Sequence, residues 1–318
     1  MAIFIGYRQA GWIGLVLGGC CFILPAMLMT GTLAWAYVRY GALPQAGGIL
    51  FGVKPVVIAI IAQALWGLGR AAIKTRTIAL VGLGAMVAAV AGVNPLLILL
   101  GAGVLMVAGR WLIRERKQSV AGLLPLLWKT PKVFGVASVS ATAAVPVGLW
   151  PLFLALVKIG AVVFGSGYVL LAFLRTDLVE RWHWLTSGQL LDAVAVGQVT
   201  PGPVFTTATF IGYVLAGAPG AVVATIGIFL PSFLLVAIGG PLVPHLRRSP
   251  LAGAFLDGVV VASLGLMGVV TCQLLRDAVV DWITLLVAAV SALLLFRYKT
   301  NSAWLVLGGA VIGLIARH

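Results

Sequence analysis

Residues 3–53 and 209–259 are two copies of one segment, aligned without a gap at an offset of 206. Phe4-Ile5-Gly6-Tyr7 returns as Phe210-Ile211-Gly212-Tyr213, Ala10-Gly11 as Ala216-Gly217, and Leu24-Pro25 as Leu230-Pro231. Pro44 returns as Pro250, Ala46-Gly47 as Ala252-Gly253, and Gly52-Val53 as Gly258-Val259. A duplicated apolar chain of this kind is the signature of a membrane transporter built from two homologous halves. The second copy follows a feature-rich stretch at 150–208, whereas the first begins at the start of the chain. The sequence therefore predicts a two-repeat protein lacking the opening of its first repeat.

Composition fixes the solvent. The chain is 62% hydrophobic and 9% charged, with a mean hydropathy of +1.16. Soluble domains carry about 25% charged residues. Apolar runs of roughly 20 residues recur, long enough to cross a hydrocarbon layer about 30 Å thick, and the 40 glycines suit close helix packing in lipid. The net charge of +14 resides in short loops, where it orients spans and does not point to nucleic acid. Cys20, Cys21 and Cys272 fall within apolar spans, and His183, His245 and His318 lack metal-ligand spacing. Neither a metal nor a cofactor is expected, and no enzyme chemistry: an enzyme acting on lipid phosphate would need a nucleophile or metal cluster that His183 near Asp177 does not supply.

The fold class expected is all-α: a polytopic membrane protein with two inverted-topology repeats and broken, re-entrant helices. Hydropathy predicts helices at 12–38, 47–69, 77–93, 95–113, 149–174, 219–243, 251–275, 282–297 and 301–316. These divide into a first repeat at 1–113, a basic cytoplasmic linker at 114–148 and a second repeat at 149–318. Between the fifth and sixth helices, segment 187–216 is interrupted at Gln198-Val199-Thr200-Pro201-Gly202-Pro203. Two prolines each remove a donor, and Pro203 drives Gly202 out of helical geometry. If this segment dips in and returns, the basic loops at 70–76, 110–132, 245–248 and 297–299 share one face, the cytoplasmic one. The balanced loop Arg175, Asp177, Glu180, Arg181 and the loop from Arg276 to Asp281 then share the other. A full crossing would break this rule, so a re-entrant hairpin is expected, with the halves inverted.

Candidate site residues gather around that break. A helix opening near Val204-Phe205 directs unpaired N–H groups and a partial positive charge at the break, a cradle for an anion. Gln198, Thr200, Pro201, Gly202, Pro203, Thr206 and Thr207 line it. Phe164-Gly165-Ser166-Gly167-Tyr168 offers a second bend or small-residue packing face, with Gly165, Ser166 and Gly167 as substrate contacts. Ionisable groups inside spans are costly and mark function. Lys54 and Lys158 are read as anion contacts, with snorkelling as the alternative, and Asp257 and Asp192 as proton-coupling or counter-ion groups. Together these features point to a small oxyanion.

Lys158-Ile159-Gly160, Phe164 to Tyr168, Gly197 to Pro203, Phe210 to Tyr213 and Phe229-Leu230-Pro231-Ser232 resemble the second half of the chromate ion transporter family. Gly6-Tyr7-Arg8, Ala10-Gly11-Trp12 and Leu24-Pro25 are similar to its first half. The resemblance implies a multi-pass protein of the bacterial inner membrane that exports chromate and confers resistance. It also leaves open sulfate or other oxyanion uptake, a truncated subunit needing a partner half, and a homodimer. Long members carry, before the position of Ile3, a helix and a Gly/Pro loop that this chain lacks. Arg8 would follow that loop and is a further expected anion contact.

Overall fold

The computed structural model describes residues 2–41, 44–116, 147–163, 167, 169–298 and 300–316. Most of the linker expected at 114–148, together with Gly165 and Ser166, lies outside the described residues. Every regular element among them is helical: α1 Ala2–Tyr40, α2 Pro44–Ala72, α3 Arg76–Val90, α4 Pro95–Arg116, α5 Leu149–Val162 and α6 Val169–Leu174. A π-helical segment, Arg175–Arg181, extends α6, and is followed by α7 Ser187–Val199, α8 Thr207–Arg248, α9 Pro250–Ala278, α10 Trp282–Leu293 and α11 Ser302–Ala316. Four stretches are long and apolar enough to cross a membrane: Ile3–Tyr40, Gly47–Ala72, Val204–Gly239 and Pro250–Ala278. The protein is a multi-pass membrane protein.

The duplication in sequence is a duplication in structure. α2 and α9 are each 29 residues long and begin 206 positions apart, at Pro44 and Pro250. Both α1 and α8 bend sharply at the same repeat position. Gly11 adopts φ 57° and Gly217 φ 64°, left-handed values that glycine reaches without a Cβ penalty. Each bend folds a short first arm back onto the long second arm. A methyl group at Gly6 would strike the Gly14 carbonyl, and one at the repeat mate Gly212 would strike the Gly220 carbonyl. In α8 the arms are further tied by a 2.8 Å hydrogen bond between Thr209 and Thr225.

The halves exchange partners. α11 packs on α2 while its counterpart α4 packs on α9, and α10 and α3 swap in the same way. Glycines make both exchanges: Gly52 sits against the Gly309 carbonyl, and its mate Gly258 against the Ala102 carbonyl. Side-chain removal of this kind drives helix association where the lipid tails offer no hydrophobic gain.

Contacts at the helix ends fix direction. Arg110 donates to the Pro250 carbonyl at 2.9 Å, and Trp66 meets Phe296 edge-on at 6.4 Å. The end of α2, the end of α4 and the start of α9 therefore share one end of the bundle. Arg175 pairs with Asp277 at 3.1 Å, and Asn94, Thr176 and Gln273 border one cavity, so the α3–α4 turn and the end of α9 share the other. Thus α2 and α9 run in opposite directions.

Two expectations need correction. Helix 149–174 is not continuous: α5 ends at Val162 and α6 starts at Val169, with the glycine-rich stretch between them. The segment from Arg175 to Arg181 is not a loop; it is π-helical, and its Asp177 is buried. Substituting Gly258→Val should abolish the folded bundle. The branched side chain would meet backbone that cannot yield, an overpacking cost of at least about 1–3 kcal/mol. Gly47→Ala, which faces open space, should leave melting in detergent unchanged or slightly raised.

Candidate functional site

The broken segment folds as a helical hairpin. α7 has 13 residues, ~20 Å at ~1.5 Å per residue, too short to cross a bilayer. It opens with a capping box in which Thr186 and Gln189 exchange side chain-to-backbone bonds at 3.0 and 3.2 Å. It closes at Thr200, whose backbone turns to ψ 128°, and the chain re-enters helix through one 3₁₀ turn, Val204–Thr206. The return arm is the first arm of α8. Gly197 lies against the Thr207 hydroxyl, so the two arms lie side by side.

The tip of this hairpin is pressed onto α1. A methyl at Gly202 would come within 2.5 Å of the Ala26 Cβ. One turn along, Thr30 donates to the Thr200 hydroxyl at 3.4 Å, and Thr200 in turn donates to the Val196 carbonyl at 3.0 Å. Thr206 donates to the Pro203 carbonyl at 2.9 Å. Thr30, Thr200, Thr206 and Thr207 are all buried, whereas Pro201 and Gly202 are exposed. The Thr207 hydroxyl has no hydrogen-bond partner among the described residues. A methyl at Gly167 would lie 3.4 Å from the Val204 Cβ, which brings Gly167 to the start of the return arm. Gln198 is half-buried in the last turn of α7.

The charged residues form two separate groups. Lys54 on α2 pairs with Asp192 on α7 at 3.1 Å, and Tyr37 on α1 donates to the other Asp192 oxygen at 3.0 Å. Asp192 is buried and Lys54 largely so. Tyr37 is held by Phe210, ring centroids 5.1 Å apart. This cluster ties both arms of the hairpin to the first half. Asp192 precedes Thr200 by eight residues, ~12 Å along the helix, so Lys54 grips the hairpin's shaft and not its tip.

Lys158 belongs to the second group. It binds Asp177 through both oxygens, at 2.8 and 3.1 Å, with its ammonium 6.0 Å from the Trp182 ring. The pair borders a polar cavity of about 710 Å³ near the α3–α4 turn. The counter-ions of the two lysines are therefore Asp192 and Asp177. Asp257 is neither: it is exposed on α9 and makes no ion pair with a described residue. Arg8 is exposed on the short first arm of α1. Thr30, Tyr37 and Asp177 were not singled out by sequence reasoning. Hydroxyls on an apolar helix are a weak signal, and Asp177 reads as a loop residue until its helix is seen.

The family model described as chromate transporter matches residues 1–107 and 150–314. A chromate transport protein of Cupriavidus metallidurans is 35% identical over 99% of this chain and 78% of its own length. A probable chromate transport protein of Synechococcus elongatus is 33% identical over 92% of the chain and 74% of its own length. A chromate transport protein of Pseudomonas aeruginosa is 30% identical over 98% and 77% respectively. No solved structure matches. With the model covering both halves and the relatives aligned nearly end to end, this chain belongs to the chromate transporter family.

Proposed function

We propose that the chain exports chromate from the cytoplasm across the bacterial inner membrane, holding the anion at the hairpin tip. The observation that carries this reading is the break itself, flanked by buried Thr200 and Thr206 and open at Pro201 and Gly202. At Thr200 to Pro203 the backbone leaves helical geometry beside α1, and the return arm opens with N–H groups directed at the gap. A helix start with hydroxyls around it suits a small tetrahedral dianion. Thr207 supplies a buried hydroxyl without a partner among the described residues, available to such a ligand. The named function of the bacterial relatives agrees with this substrate.

The opposed directions of α2 and α9, and the matching bends in α1 and α8, support an inverted-repeat mechanism. In it one half moves against the other around the hairpin. The Lys54–Asp192–Tyr37 cluster is the charged contact by which the first half holds the hairpin, so it is the lock of that motion. Asp192 is its coupling residue: neutralising the carboxylate by a proton would release Lys54 and free the hairpin's shaft. Lys158 acts from the polar cavity at the bundle's other group, as an approach contact.

Two experiments test this. Everted inner-membrane vesicles should accumulate chromate, with excess sulfate competing because the two dianions share shape and charge. Accumulation only in right-side-out vesicles would make the protein an uptake system. Lys54→Gln should reduce transport at least tenfold, because an unpaired buried carboxylate costs about 3–5 kcal/mol. Lys54→Gln with Asp192→Asn should restore detergent stability without restoring transport. Recovery of full transport by the double variant would reduce the pair to a structural brace.

A further inference from the structure

Between α2, α3, α9 and α10 lies an apolar groove of about 1100 Å³. Its lining is written twice. Ala62 and Gly268, Leu65 and Thr271, Met86 and Ala292 all line it, and each pair is separated by the repeat offset. The groove therefore runs along the line that relates the two halves. Polar groups on its walls are already engaged: the Thr271 hydroxyl donates to the Met267 carbonyl at 2.7 Å.

The two mouths share a shape and differ in charge. Arg70 lines the groove, is exposed, and makes no ion pair with a described residue. Lys74 and Arg76 follow it. At the opposite mouth the repeat mate Arg276 is followed by Asp277 and Asp281, and the mates of Lys74 and Arg76 are Val280 and Trp282. One mouth is thus purely basic and the other mixed. Beside the basic mouth, exposed Trp66 packs on Phe296, a pair suited to the headgroup level.

We infer that this groove is a binding site for one anionic phospholipid, its acyl chains lying in the two-fold-related lining and its phosphate on Arg70. Apolar walls select for hydrocarbon, and a guanidinium binds a phosphate bidentately. The asymmetry of the mouths sets the lipid's direction. Its headgroup lies at the end that the basic loops assign to the cytoplasm, where anionic lipids concentrate. The site is separate from the hairpin tip and does not depend on which oxyanion is carried.

The test is lipid retention by the purified full chain. Protein equilibrated with equimolar phosphatidylglycerol and phosphatidylcholine in mixed micelles, then analysed by native mass spectrometry, should retain one phosphatidylglycerol. The preference should be about fivefold, the effect of one basic side chain on an anionic headgroup. Arg70→Gln should bring the preference to unity while melting stays unchanged, and Ala62→Trp should reduce retention of both lipids. Equal retention by the unaltered protein, or an undiminished preference in Arg70→Gln, overturns the inference. So does a dimer in which Ala62→Cys crosslinks to its own copy, which would give the groove to a second chain.

Discussion

Backbone that is not helical cannot face lipid, because each unpaired N–H or carbonyl costs several kcal/mol in hydrocarbon. The run from Thr200 to Pro203 is such backbone, and the bundle walls one side of it, burying Thr200 while Pro201 and Gly202 stay exposed. α1 presses on its tip through Ala26 and Thr30. Gly167 meets Val204 at the start of the return arm. α2 and α1 hold the shaft through Lys54 and Tyr37. Each contact joins a segment of the first half to the hairpin of the second, or the hairpin to its own repeat. A site made this way exists only when both halves are assembled.

Glycine makes that assembly possible. Gly52 and Gly258, related by the repeat, each admit a neighbouring helix to backbone contact. Because α11 packs on α2 and α4 on α9, neither half is closed without the other. The same swap creates the apolar groove along the line between the halves. Chemistry is distributed less evenly than shape. Lys54 has Val260 as its mate and Asp257 has Phe51, so the pair that grips the hairpin appears once. The duplicated scaffold gives two similar frames, and point differences decide which frame bears charge.

Much of this was legible in the sequence. The offset of 206 paired Gly11 with Gly217 without foretelling the bend that each makes, and two prolines around Gly202 located the break. The sign of the loops foretold which helix ends lie together, as Arg110 on Pro250 bears out. Partnerships were harder to read. Lys54 and Asp192 were each noted, yet their pairing depends on the tilt of α7 against α2, which no local pattern encodes. The π-helical run from Arg175 to Arg181 was hidden by its charge, which resembles a loop until Asp177 is seen to turn inward to Lys158. The break in helix 149–174 was legible only as one of two readings of the glycines at 165 and 167, a bend or a packing face, because hydropathy continues through it unchanged.

The claim on which the account rests is that the hairpin tip packs against α1 through Thr200 and Gly202. Introducing Thr30→Cys and Thr200→Cys into a chain whose native cysteines are replaced by serine tests it in native membranes. Treatment with a short bifunctional thiol reagent should give an intramolecular crosslink in high yield, and chromate should slow it. No crosslink, together with labelling of the cysteine at 200 by a lipid-soluble probe, would place the tip against the bilayer and contradict the account.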